Sequence, residues 1–512
     1  MNRRQVLELL GLGTVSAFGA VLSTPTSASA KSLPLPSAVF PSLEQQTLPI
    51  LALATSLPQE YSYEAQVEGQ IPAQLQGTLY RNGFGLFERG RWRKRLLLDG
   101  DGMIQAFRVQ DGKVYYRNRF VRTRKYLQEA AVGTYLYDTW TTQAPGNNRL
   151  RESGGQAAIT VFVRNGRLYA FDEQGSSWVL NPENLRTIEA SRLGLPQEFP
   201  TDFKAHSKID GRTGEWILFT LTKDNSTYYI ATLNSSGTLI QQKVVQMPRV
   251  TYMHDFFVSE QHVIFNLHPM ELDVQKLRQS ESSFLDTMRW RPEQGNILVV
   301  VNRAGAAEPI QLPTETAWMW HVLNAYEADG EIIADFVGYD NPDHFVGSDP
   351  VLASIMSGRL SEQRFPGTLR RYAINLNRKT VRQEILDTGN HDYPFVNQQL
   401  SCHRHRFGYF TNGLLPSAIK RVDMQTGKSQ VYDFGEGCYC FEPVFAPLPG
   451  FDYGADLSAE PGWLLTEVLD GFTKKGFLAI FAAERVSDGP IARAHLLHHV
   501  PYNAHGYWQS LS

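Results

Sequence analysis

The chain reads as all-β, and three observations point to a β-propeller. First, from about residue 60 onward it is a succession of short β-branched and aromatic runs, roughly twenty to twenty-five of them. Examples are Gly77–Tyr80, Lys113–Arg117, Arg167–Phe171, Glu215–Phe219, Val263–Asn266, Ile297–Val301, Ile332–Asp335 and Trp463–Thr466. Second, turn dipeptides punctuate the runs: Asp111-Gly112, Asn165-Gly166, Ser236-Gly237, Asp329-Gly330 and Thr426-Gly427. Such pairs tolerate the positive φ of tight hairpins. Third, no second linker interrupts this stretch. So many short strands in one domain fit radial repetition, about six or seven blades, better than two packed sandwiches.

The remaining elements follow in order. Residues 1–30 have the form of an export signal. Arg3-Arg4 precede an apolar stretch, Leu9 to Leu22, and a small-residue site, Ala28-Ser29-Ala30. The stretch is about fourteen residues, short for a bilayer span. The paired arginines favour twin-arginine export to a periplasm or thylakoid-lumen-like compartment. An ordinary secretory signal and an uncleaved membrane anchor are the alternatives. Residues 31–55 are Pro- and Ser-rich and read as a linker, and 56–512 as a single domain. Two helices are expected, Glu271 to Met288 and Val351 to Gly358.

Composition bounds the function. With 42% hydrophobic residues the 512-residue chain can bury a large core. It has 49 basic and 52 acidic residues and no large block of one sign, which excludes a nucleic-acid partner of the electrostatic kind. The densest basic run, Arg89 to Arg95, reads as a solvated face or loop. Three cysteines, Cys402, Cys438 and Cys440, make no disulfide framework and read as reduced thiols.

Of 13 histidines, some can be set aside. No His-Glu-x-x-His motif exists, so a zincin helix is excluded. His403 and His405 lie among arginines. His498 and His499 read as adjacent strand residues, which point to opposite faces and cannot both enter one site. Four others share an aromatic or apolar setting: Phe203-Lys-Ala-His206, Tyr252-Met-His254-Asp-Phe-Phe257, Trp318-Met-Trp-His321 and Pro501-Tyr-Asn-Ala-His505-Gly-Tyr-Trp508. A propeller brings the inner strands of all blades to one axis, where distant residues meet. On the residues alone two readings stay open: a metal-ligand set, or core histidines bonded to backbone.

These segments belong to a larger pattern. Tyr80-Arg-Asn-Gly83-Phe-Gly85 followed by Asp99-Gly-Asp-Gly-Met103 resembles the N-terminal signature of the carotenoid cleavage oxygenases. Met253-His-Asp-Phe256, His321-Val-Leu-Asn-Ala-Tyr-Glu327 and His505-Gly-Tyr-Trp508 resemble that family's second, third and fourth histidine motifs. Ala205-His206 stands where the first belongs, and Glu442-Pro-Val-Phe445 and Pro449-Gly450 also match. The resemblance runs from about residue 60 to the C-terminus.

It implies a seven-bladed propeller with an iron on its axis, under a dome of loops and short helices. It also implies Fe(2+) held by His206, His254, His321 and His505, with Glu173, Asp392 and Glu442 bonded to ligand histidines. The implied reaction is O2-dependent cleavage of a carotenoid or apocarotenoid double bond into two carbonyl products. A monomer is expected. Rival readings are cleavage of a stilbene-type phenol, isomerisation without O2, and a carotenoid binder that has lost catalysis. Family members dip an apolar patch into a membrane, but Pro269 to Phe284, where such a patch would lie, is polar. Peripheral membrane contact is therefore permitted rather than supported.

Three departures stand out. Asp392, in Asp392-Tyr-Pro394, replaces the family's Glu before Phe-Pro and is a methylene shorter. Phe84 replaces a proline. Ala157-Ala158-Ile159 stands where many members have Ala-Asn-Thr, so an apolar Ile159 faces the open coordination side. The chemistry suits the residues. Imidazole suits iron, a ferrous ion that activates O2 needs open positions, and four histidines leave about two of six. Carboxylates behind the rings fix their tautomers and raise their basicity.

Overall fold

The structure, a computed structural model, describes residues 32–146, 150–153, 155–173, 175–200, 202–279 and 282–511. The export signal expected over residues 1–30 lies outside them.

The chain is mostly antiparallel sheet. Five four-stranded sheets follow one another along it: Thr160–Ser191, Lys208–Gln246, Phe257–Thr314, Trp318–Asp387 and Asp392–Asp433. A ten-stranded sheet completes the set and divides into two groups. One holds strands between Cys438 and His495, and the other pairs Gly77–Leu86, Asp101–Gln110 and Lys113–Phe120 with the C-terminal strand Asn503–Ser510. Strand Ser62–Gly69 joins the groups: Ser62–Ala65 pairs with Val114–Arg117, and Gln66–Gly69 with Ala492–His495. The two ends of the chain thus share one sheet, which closes the ring of a propeller and leaves few free edges.

Local chemistry explains these strands. The expected two-residue turns form at Asp111-Gly112, Asn165-Gly166 and Asp329-Gly330, each joining consecutive strands. Both residues of each pair have positive φ, from 52° to 78°. That is the geometry whose twist matches the flanking strands. Burial also follows position. Trp216–Leu221, inside its sheet, is buried at every residue, whereas Leu239–Gln246, at the sheet's outer edge, alternates. Strands covered on both faces read as continuous apolar runs, and half-covered strands alternate.

Four expectations need correction. Glu271 to Met288 is not one helix. Met270–Leu272 pairs with Met288–Trp290 as a hairpin, and between them Val274–Gln279 is α-helical and Leu285–Thr287 a 3-10 turn. The ladder satisfies backbone groups that a helix would otherwise use. Val351–Met356 is helical as expected.

The basic run Arg89 to Arg95 is not a solvated face. Arg93 is fully buried, its guanidinium 3.5 Å from the Phe40 ring centroid and paired with Glu88. It donates to the carbonyl oxygens of Met356 and Ala54. Lys94 is buried and donates to Thr139 Oγ1 at 3.0 Å. Partners from distant loops, rather than water, satisfy these cations.

Much of the linker segment is packed. Pro49–Ala54 forms a 3-10 turn whose residues Ile50 to Ala54 are buried in the main core. Leu53 O accepts from Tyr502 N at 2.8 Å, and apolar burial rather than composition decides the segment's fate. Finally, His498 and His499 follow strand Ala492–His495 in a loop, not on a strand. Their ring nitrogens bond backbone oxygens of His499 and Thr55.

Candidate metal centre

His206, His254, His321 and His505 come together. One ring nitrogen from each lies within 4.8 Å of the others, and all four residues are buried. The sheet order explains the convergence, because each histidine sits on or just before a strand at the inner edge of its sheet. His206 precedes Lys208–Ile209, and His254 precedes Phe257–Val258. His321 lies in Trp318–Ala328 and His505 in Asn503–Ser510.

Irregular pairing aims the side chains. The ladder shifts register between Met319 and Val322, on either side of His321. It shifts again between Arg81 and Gly83, where Asn503 and Gly506 are the partners that flank His505. A third shift lies between Asp392 and Phe395. A bulge adds residues to one strand and re-aims a side chain that a regular pleat would send elsewhere.

Three of the four rings are held from behind by a carboxylate. His254 Nδ1 bonds Glu173 Oε1. His321 Nδ1 lies 2.8 Å from Asp392 Oδ1, and His505 Nδ1 lies 2.7 Å from Glu442 Oε1. The shorter Asp392 therefore reaches its ring. The register shift and the φ of 45° at Tyr393 set the backbone around it.

The carboxylates are anchored in turn. Glu173 Oε2 accepts from Lys204 Nζ at 2.8 Å and Tyr252 OH at 3.0 Å. Asp392 accepts from Tyr339 OH and Tyr393 N, and Glu442 from Gly506 N. The sequence reading missed Lys204, Tyr252 and Tyr339. A signal for two of them existed: Lys204 and Tyr252 each stand two residues before a cluster histidine, as same-face strand neighbours do.

Electrostatics keep this arrangement in one protonation state. Burial would raise the Glu173 carboxyl, but Lys204 and His254 outweigh it and hold the group down at about 2. Burial likewise opposes Asp392, and His321 outweighs it, leaving the carboxyl lowered. Burial pushes the His206 imidazole well below its usual range, helped by His254 and His505. Burial also lowers His254 despite the pull of Glu173. Neutral rings that donate Nδ1–H to carboxylates present Nε2 lone pairs to the centre. His206 Nε2 lies 3.1 Å from His254 Nε2, which lies 3.4 Å from His321 Nε2. Lone pairs that close, with no proton between them, call for a cation, and imidazole nitrogen suits a transition metal.

Two cavities meet at the histidines. The first is walled by apolar and aromatic residues including Leu98, Trp140, Ile159, Trp320 and Leu352. Ile159 faces this chamber as expected, and its carbonyl accepts from His505 N at 3.2 Å. Phe84 is buried beside it, stacked on Tyr502 at 6.2 Å. The second cavity is the more polar of the two. It touches His206, His321 and His505 together with Lys208, Asp210 and Asp255. His403 and His405 lie elsewhere, His403 bonded to Asp210 and His405 to Asn324. Cys402, Cys438 and Cys440 are free thiols.

Comparison with known proteins gives a consistent result. The family model described as retinal pigment epithelial membrane protein matches residues 54–510. The chain is 29% identical to the apocarotenoid-15,15'-oxygenase of Synechocystis sp., over 88% of this chain and 94% of that protein. It is 27% identical to lignostilbene-α,β-dioxygenase isozyme III of Sphingomonas paucimobilis, over 88% and 94%. The crystal structure of cobalt-substituted Synechocystis ACO superposes with a TM-score of 0.82 at 29% identity, covering 90% of this chain and 99% of that one.

Proposed function

Because the chain belongs to the retinal pigment epithelial membrane protein and carotenoid cleavage oxygenase family and is an oxygenase of that family, we propose that it is a non-haem Fe(II) dioxygenase that splits one conjugated double bond of a carotenoid or apocarotenoid with O2 into two carbonyl products. The observation that carries this reading is the convergence of four buried imidazole nitrogens at one end of an apolar, aromatic chamber.

His206, His254, His321 and His505 would hold the iron. When bound, a ferrous ion with open positions supplies O2 activation. The protein supplies the rest. Glu173, Asp392 and Glu442 keep the Nδ1 protons of three rings, so that Nε2 stays free to ligate. With no carboxylate among the described residues in the cluster itself, the metal would keep its full positive charge. Trp140, Trp320 and Ile159 line an apolar chamber whose aromatic walls suit a flat polyene and would shield the reacting carbons from water.

A second reading, cleavage of a stilbene-type phenol by the same chemistry, is favoured by the similarity to the lignostilbene dioxygenase. Arg3-Arg4 and the site at Ala30 support export of the folded chain. No helix among the described residues is long and apolar enough to cross a membrane.

The test is product identification by mass after incubation with β-carotene, an apocarotenal and resveratrol, under O2 and under argon. Two carbonyl fragments that carry oxygen from O2 are expected under O2 alone. Equal product under argon would overturn the dioxygenase reading in favour of an isomerase. No turnover despite one bound iron would favour a binder.

A further inference from the structure

Besides the histidines, Asp172, Glu173 and Tyr252, the chamber lining holds a pair of tyrosines. Tyr393 and Tyr502 both line it, and their hydroxyls hydrogen-bond to each other. Tyr393 is held in place by its neighbours. It follows Asp392, has a φ of 45°, and stacks on His321 with ring centroids 5.2 Å apart. Its ring is 5.6 Å from that of His505. Tyr502 is wedged between Phe84 and Phe441, each 6.2 Å away. Both tyrosines are nearly inaccessible, at 4% and 2% exposure.

Counting protons shows what is incomplete. Each hydroxyl offers one proton and two lone pairs. The mutual bond uses one proton. Among the described residues the other has only Leu414 O, 3.5 Å from Tyr502 OH. Normal O–H···O bonds span about 2.5–3.0 Å, so that contact is weak. A buried hydroxyl proton left short of an acceptor is unfavourable. A hydrocarbon in the chamber leaves the shortfall in place, whereas an oxygen on the ligand removes it.

We propose that the Tyr393–Tyr502 pair is a binding subsite for a carbonyl or hydroxyl oxygen on the conjugated substrate, and that it makes the enzyme select oxygenated polyenes or stilbenes over hydrocarbons. The proposal rests on the chamber being the substrate site. The pair donates one hydrogen bond to the ligand oxygen. Carbonyl and hydroxyl share the acceptor chemistry, but only a hydroxyl can also donate to a tyrosine lone pair.

The experiment compares three ligands of one carbon skeleton, a polyene hydrocarbon, its aldehyde and its alcohol, on wild type, Tyr393→Phe and Tyr502→Phe. Wild type is expected to favour an oxygenated ligand by about tenfold in kcat/KM, mostly through KM. In both variants that ratio falls toward unity while metal content holds. The aldehyde-to-alcohol ratio identifies the oxygen. An unchanged ratio in both variants with metal bound, or a wild-type preference for the hydrocarbon, overturns the proposal. Kd values from quenching of tryptophan fluorescence apply the same criterion without turnover. If no ligand is cleaved but the binding ratio collapses in the variants, the dioxygenase reading fails and the subsite stands. Loss of metal in one variant leaves the other to decide.

Discussion

His206 differs from the other three histidines of the cluster. His254, His321 and His505 each back onto a buried carboxylate that is itself tied to other groups. Among the described residues His206 has no such partner: its Nδ1 is 3.9 Å from Asp255 Oδ2, beyond a hydrogen bond, and the ring borders the more polar cavity. Asp255 is engaged elsewhere, with Lys208 Nζ at 2.7 Å and Val322 N at 2.9 Å. Three corners of the site are therefore fixed by charge-assisted bonds, and the fourth by its strand. Carboxylate-backed rings are fixed in tautomer and more basic, so the three corners should bind metal tightly while the fourth adjusts.

The largest effect expected from this contrast is on the histidines themselves. His254→Ala, His321→Ala and His505→Ala should each lower bound metal to under about a tenth of wild type. Each also leaves a buried carboxylate short of a partner, at about 1–3 kcal/mol, so the metal-free protein should melt lower than metal-free wild type. His206→Ala should lose metal as well but leave the melting temperature of the metal-free protein close to wild type. Metal analysis and calorimetry on metal-free samples separate the two outcomes. Equal melting losses at all four positions would erase the distinction.

The next effect belongs to the carboxylates. Glu442→Gln and Asp392→Asn should each weaken metal binding or activity by about 10–100-fold. Asp255→Asn should cost less than about tenfold, because Asp255 does not bond its histidine. Asp392→Glu sharpens the point. Asp392 already lies 2.8 Å from His321 in a fully buried site, so an added methylene should crowd the ring and lower activity rather than restore the family pattern. Higher activity in Asp392→Glu would show that the short side chain is a defect.

Much of this was legible in the sequence, and the boundary has a physical cause. Local signals held. Asp-Gly and Asn-Gly pairs specify their own turn geometry, and the aromatic setting of the four histidines reflects the buried inner sheet edges on or beside which they sit. Information carried by register was not legible. The bonds from Glu173, Asp392 and Glu442 join residues 81, 71 and 63 positions apart. The bulges that aim His321 and His505 leave no composition signal, so only the ordered family motifs pointed to these pairs. Long-range partners also overrode local pattern: Phe40 and Ala54 buried Arg93 out of a basic run, and a two-strand ladder displaced the helix expected at Glu271 to Met288.

The smallest effect tests how the fourth corner is fastened. The segment carrying His206 continues through Lys208–Ile209 to Asp210, whose Oδ1 bonds His403 Nε2 at 2.9 Å. Arg303 Nη1 also reaches Asp210, at 3.0 Å, and Glu260 lies 3.3 Å from His403 Nδ1. Burial would lower the His403 imidazole, but its bonds to Asp210 and Glu260 outweigh it and raise it to about 9. A histidine raised above its unfolded value of about 6.5 stabilises the fold fully below that pH. The contribution is lost as pH rises through about 9. Partial solvent screening keeps it small, on the order of 1–2 °C in melting temperature. Wild type should thus lose slightly more stability than His403→Gln between pH 7 and pH 10, and the added loss should be accompanied by faster metal release. Metal release that is equally fast in both proteins at pH 10 would mean that His206 is held by its strand alone, without help from the ion pair beyond it.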